Sequence, residues 1–157
     1  MQTNAEQTNA YPDALMRPEP ARVALLLADF WRQLQTLPAL INQQEELLAA
    51  RCTTQLRDLV LEMMLALNGI QYPADTANLN LYLGESQRAA LYKTLRAPEV
   101  SSESWLGQAV ALVVIYRWYA PQLVAKFNLE YPQALEVETW VTLQHDLPDW
   151  PLTVTTE

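Results

Sequence analysis

Residues 113–147 leave little freedom in how they fold, because they read as a helix, a sharp corner and a second helix. Ile115, Tyr119, Leu123 and Phe127 recur every four residues, a spacing that lays them on one helical face. Asn128 follows the last of them, and asparagine tolerates the left-handed conformation in which many helices end. Tyr131-Pro132 then makes the corner, with Pro132 pre-set in φ for the first turn of the next helix. That helix carries Leu135, Trp140 and Leu143, and Leu147-Pro148 stops it.

The rest of the chain supports the same class. At 157 residues, half of them hydrophobic, it can bury a single core. It has only 3 glycines, and its 10 prolines gather near segment ends, which favours helices joined by short corners. Period-2 alternation is sustained only in the tail, residues 152–156. The expected fold is an all-α, single-domain helical bundle of about five to six helices. Residues 1–20 form a polar, flexible N-terminal segment in this reading, residues 21–147 the bundle, and residues 148–157 a C-terminal tail.

A first helix is expected over residues 21–36, with a restart at Pro38. A long helix follows over residues 39–68, with a possible kink near Cys52-Thr53-Thr54, and Gly69 ends it through a left-handed cap. Turn-rich residues 72–75 lead to a short helix over 77–83. Another spans residues 86–95, stopped by Ala97-Pro98. The serines at 101, 102 and 104 offer N-caps for an aromatic helix over 105–127. Pro121 inside it predicts a kink around residues 117–121, or two abutting helices. The first helix carries Val23, Leu25, Leu26, Leu27, Phe30 and Trp31 almost all the way round. Such a helix expects burial on every side, which points to a two-fold homodimer through it.

The net charge of −8, with 10 basic residues and no run of them, disfavours nucleic acid as a partner. An acidic surface suits a polycationic ligand, although acidity also simply keeps proteins soluble. The first twenty residues lack the charged-then-apolar pattern of a signal, and the longest apolar runs, such as residues 109–116, are far too short for a membrane span. The single cysteine, Cys52, cannot form an internal disulfide, which fits a cytoplasmic location.

Catalytic and metal chemistry find few candidates. His145 is the only histidine and stands at a helix end, where a cation favours the dipole. Cys52 lies in a helical pattern and reads as a core filler. Trp105, Tyr116, Trp118, Tyr119 and Trp140 form a helical aromatic set, more naturally core than pocket. Trp150, between Asp149 and Pro151, either folds back onto the domain or docks on a partner. Asp58 and Glu62 are the better candidates, since four residues apart both carboxylates leave one helix face. Like charges at that spacing repel. They are therefore expected either to pair with Arg51, Arg57 or another helix's arginine, or to capture an amine-rich ligand.

Residues 113–147 resemble the end of the C-terminal helical domain of bacterial aminoglycoside 6-adenylyltransferases, the streptomycin-modifying nucleotidyltransferases. The resemblance extends back to about Ala28 through Asp29-Phe30-Trp31, the helix ending in Asn68-Gly69, the segment Leu79, Tyr82 and Leu83, and Trp105. It implies a substrate-binding domain whose carboxylates meet a cationic substrate, with Asp58, Glu62, Trp31 and Trp105 as the candidate ligand-binding residues. The motifs of the family's catalytic half are not in this chain. There is no Gly-Ser dipeptide, and none of the aspartates Asp13, Asp29, Asp58, Asp75, Asp146 and Asp149 forms an Asp-x-Asp pair that could hold Mg²⁺. Neither cofactor, metal nor catalytic residue is expected. The expectation is a non-catalytic binding module for a small cationic ligand or a separate nucleotidyltransferase subunit, with an interaction protein forming a homodimer as the alternative.

Overall fold

A computed structural model describes residues 11–96 and 99–154 of the chain. Five α-helices follow one another: α1 (Pro20–Asn42), α2 (Glu46–Leu67), α3 (Glu85–Lys93), α4 (Ser102–Phe127) and α5 (Gln133–Asp146). A single 3₁₀ turn, Leu79–Leu81, lies between α2 and α3. No strand occurs among the described residues, so the fold is the expected all-α bundle in one domain. α1 packs against α2, α4 and α5, while α2 packs against α4 and α3.

Pro38 does not end the first helix. α1 runs through it to Asn42, and α2 begins only at Glu46. Leu34, Leu37, Pro38 and Ile41 are all buried, so the apolar face continues one turn beyond the proline and its burial outweighs the lost hydrogen bond. The break falls at the polar residues that follow, where Gln44 takes φ 56 and Glu45 N–H returns to the Leu40 carbonyl at 2.9 Å. α2 is likewise one element through Cys52-Thr53-Thr54, with the Thr53 and Thr54 hydroxyls both donating to the Ala50 carbonyl. It ends as expected at Gly69, φ 82, with Ile70 N–H bonded to Leu65 O at 2.9 Å and Gly69 N–H to Ala66 O.

The short helix expected over residues 77–83 shrinks to the 3₁₀ turn. Side chains capture the backbone there: Asn78 N–H donates to Thr76 Oγ1 at 3.0 Å, and Asp75 is left-handed at φ 55. Ala97-Pro98, expected to stop the next helix, lie outside the described residues, as do residues 1–10 and 155–157. Ser101 caps α4, its Oγ accepting from Ser104 N–H at 3.1 Å. Pro121 does not divide α4 into two helices. Tyr119, Ala120 and Leu123 around it are buried, and the Gln122 side chain donates to the Trp118 carbonyl at 2.9 Å. Asn128 closes α4 in the left-handed conformation, φ 53 and ψ 55, as the sequence predicts.

The centre of the core is aromatic. Phe30 stacks on Tyr116 with ring centroids 4.3 Å apart, and Trp31 meets both rings edge-on. The Tyr116 hydroxyl donates to the Leu27 carbonyl at 2.9 Å, and Thr139 Oγ1 donates to the Trp31 carbonyl at 3.3 Å. The apolar surround of α1 is consumed here: Val23, Leu26, Leu27, Phe30 and Trp31 are fully buried, and only Leu25 is half exposed. The face expected to meet a second copy is therefore interior to a single chain.

The C-terminal segment folds back. Trp150 packs edge-on against Trp140, 5.5 Å between centroids, and Arg117 lies over the Trp140 ring. Arg117 also donates to the Val154 carbonyl at 2.8 Å and pairs with Glu136 at 3.0 Å, so one guanidinium ties α4, α5 and the tail together.

Candidate functional site

α1 and α2 form an antiparallel pair, and a cleft of about 640 Å³ opens along their outer seam. Arg22, Asp29, Gln33 and Thr36 line it from α1, because steps of seven, four and three residues return to one face. Gln55, Asp58, Leu59 and Glu62 line it from α2 for the same reason, and Tyr72 closes one end. The volume falls within the range of small-molecule sites.

Two of the three carboxylates in this cleft are already paired. Arg22 grips Glu62 with Nε and Nη2, each 2.8 Å from a carboxylate oxygen. Arg32 meets Asp29 at 3.0 Å, one helical turn away. Asp58 makes no ion pair or side-chain hydrogen bond among the described residues. Its neighbour Arg57 is turned elsewhere, donating to Thr94 Oγ1 at 2.8 Å, to the Thr94 carbonyl and to Gln108 Oε1 at 2.7 Å. The repulsion expected between Asp58 and Glu62 is thus relieved on one side only, by an arginine of another helix.

Water is partly stripped from this seam. Although Asp58 is exposed, crowding by the cleft walls pushes its carboxyl above the ordinary value, and the nearby Arg57 charge only partly opposes this. The Tyr72 hydroxyl is raised too, first by burial and then by the negative charges of Asp58 and Glu62. Gln33 donates to Gln55 at 2.7 Å across the floor. The Thr36 hydroxyl donates to the Gln33 carbonyl at 2.7 Å, so its proton is engaged by the backbone of its own helix. What the cleft offers is one unpaired carboxylate, which can accept charge-assisted hydrogen bonds from an ammonium or amine.

The other two candidate ligand residues lie elsewhere. Trp31 is fully buried in the aromatic core, its Nε1 donating to the Tyr131 hydroxyl at 3.3 Å. Trp105 is buried at the start of α4, where its indole N–H donates to the Glu46 carboxylate. Neither lines the cleft. Cys52 is buried, with its thiol pushed up by burial, and His145 is exposed beside Asp146. No group of three His, Cys, Asp or Glu side chains that could hold a metal occurs among the described residues. Among the described residues, no helix is long and apolar enough to cross a membrane.

The places of Arg22, Asp29, Arg32 and Tyr72 in the cleft are not assigned by the sequence, which points only to an unspecified arginine of another helix beside Asp58 and Glu62. The Asp29–Arg32 spacing is a visible helical pair, and Arg22 and Asp29 share a helical phase. Nothing local, however, indicates which face of α1 meets α2. Comparison with family models, with curated proteins and with solved structures returns no match to this chain.

Proposed function

We propose that this protein is a binding module whose α1–α2 cleft takes a small cationic ligand, with Asp58 as the carboxylate that the ligand meets. The observation that carries this reading is the asymmetry of the seam: Glu62 and Asp29 have arginine partners, and Asp58 has none. An ionised carboxylate between partly apolar walls attracts a cation more strongly than one in open water. Arg22 and Arg32 keep the cleft's overall charge close to balanced, so a ligand would be held by local pairing rather than by a broad acidic field. The resemblance to an aminoglycoside nucleotidyltransferase substrate domain favours an amine-bearing sugar as the ligand. It also suggests a separate nucleotidyltransferase subunit as the partner that would complete the site.

Titration calorimetry with streptomycin as the probe tests the reading. Binding should be measurable at low salt, weaken as salt rises, and fall at least about tenfold in Asp58→Asn, equivalent to roughly 1.4 kcal/mol. Binding that is absent, or unchanged in Asp58→Asn, rules the site out.

A further inference from the structure

We infer that the groove between the C-terminal end of α2, the start of α3 and the C-terminal half of α4 is a binding site for a neutral sugar ring. It shares no residue with the α1–α2 cleft and stands or falls apart from it.

The groove spans about 720 Å³, within the range of small-molecule sites. Its floor is polar and fixed. Asn68 Nδ2 donates to Gln87 Oε1 at 2.7 Å, and Gln87 Nε2 returns a bond to Asn68 Oδ1 at 3.1 Å. Gly84 N–H also donates to Gln87 Oε1 at 2.8 Å, and Asn68 Nδ2 to the Tyr82 carbonyl at 2.9 Å. Neither amide can rotate without breaking these bonds, and Gln87 is only 7% exposed.

Tyr119 stands beside this pair. It is 8% exposed and lines the groove, yet its hydroxyl donates to no acceptor among the described residues. Burial pushes this hydroxyl up, with the nearby Gln87 side chain partly opposing, so the proton stays on. A nearly buried donor left without an acceptor is costly, and the groove is where an acceptor can reach it.

Three observations select the class of ligand. The first is charge: none of the described residues lining the groove is charged, in a chain with 10 basic and 18 acidic residues. An ionic group would lose hydration here without gaining a counter-charge. The second is the set of free polar groups. The Tyr119 and Ser86 hydroxyls and the Gln122 amide oxygen include both donors and acceptors, and Gln122 is anchored through Nε2 to the Trp118 carbonyl at 2.9 Å. Sugar hydroxyls both donate and accept, and turn to suit such a set. A hydrocarbon side chain would leave Tyr119 unsatisfied.

The third is the rim. Trp118 is 58% exposed and Tyr11 is 55% exposed, with Tyr11 edge-on to Tyr82 at 5.7 Å. Aromatic rings beside a polar floor match a pyranose, whose C–H face is apolar and whose edge carries hydroxyls. Asp13 steadies the Tyr11 side. It accepts from the Thr76 and Tyr82 hydroxyls, and so holds the segment that carries Tyr11 and Leu15.

Saturation-transfer NMR on the full chain, with glucose, galactose, mannose and N-acetylglucosamine as probes, is the test. At least one should show saturable binding with a Kd at or below about 10 mM. Trp118→Ala should weaken that binding at least about tenfold, and Tyr119→Phe by about three- to tenfold, as for one hydrogen bond. Both variants should keep the parent circular dichroism, because Trp118 is exposed and the Tyr119 hydroxyl donates to no acceptor among the described residues. Asp58→Asn should leave sugar binding unchanged, and a loss there would move the sugar to the α1–α2 cleft and overturn this site. No probe saturating by about 10 mM overturns the inference. So does binding that either Trp118→Ala or Tyr119→Phe leaves unchanged. Adenosine bound in preference to all four sugars overturns it in favour of a flat heterocyclic ligand.

Discussion

Arg22 and Glu62, forty positions apart, meet in a two-pronged ion pair with both contacts at 2.8 Å. The pair closes one end of the α1–α2 seam and satisfies a carboxylate that would otherwise stand beside Asp58. An exposed pair of this kind contributes only about 0.2–1 kcal/mol. Its larger effect is on the charge that the cleft presents.

Removing Arg22 should therefore separate stability from binding. Arg22→Ala is expected to cost no more than about 1 kcal/mol of stability. It should also free Glu62 and strengthen binding of a cationic probe by up to about fivefold at low salt. Denaturant melts and calorimetry on the same sample check the two effects together, and weaker cation binding would contradict the geometry.

Asp58 carries a cost of its own. Because its folded-state value is raised, its ionised form opposes folding, and the penalty is full above the raised value, fades as pH falls from there to the ordinary carboxylate value, and is absent below it. Asp58→Asn should be slightly more stable than the parent at pH 7, by less than about 0.5 kcal/mol or about 2 °C in Tm. The gap should close in acid. Thermal melts between pH 7 and pH 3 test this, and a variant less stable at neutral pH would refute it.

Asp13 behaves in the opposite sense. It accepts hydrogen bonds from the Thr76 hydroxyl at 2.7 Å and the Tyr82 hydroxyl at 2.6 Å, in that order the largest causes of its lowered value. Its contribution is complete above the ordinary carboxylate value of about 3.9 and disappears as pH falls through the lower folded value. Asp13→Ala should lower Tm at pH 7, with the difference vanishing in strong acid. The same variant should release the segment before α1, and faster proteolysis near residues 11–19 would report it.

Arg117 holds the C-terminal segment through Glu136, the Trp140 ring and the Val154 carbonyl. Arg117→Ala should cost about 1–3 kcal/mol, as for other broken, partly buried networks. It should also shift tryptophan emission to the red as Trp150 loses its seat on Trp140. Trp150→Phe in the same background should abolish the spectral change while leaving the stability loss.

Backbone punctuation was legible in the sequence because it depends on nearest neighbours. Asn128 and Gly69 end their helices in the left-handed conformation, Ser101 caps α4, and the Tyr131-Pro132 corner and Leu147 bound α5. Each is a φ preference or a local hydrogen bond, and together with the 3.6-residue period they specify an all-α bundle. What the tertiary structure alone decided is how each apolar face is covered. Pro38 stays inside α1 because Leu37 and Ile41 bury the turn around it. Trp31 becomes core through Tyr116 and Tyr131, residues 85 and 100 positions away, while Trp118, equally aromatic in sequence, faces outward. Asp58 and Glu62 look identical on the helix, and only the approach of Arg22 from α1 pairs one and leaves the other open. Helical periodicity specifies which residues share a face, but the identity of the opposing surface depends on contacts between segments far apart in the chain.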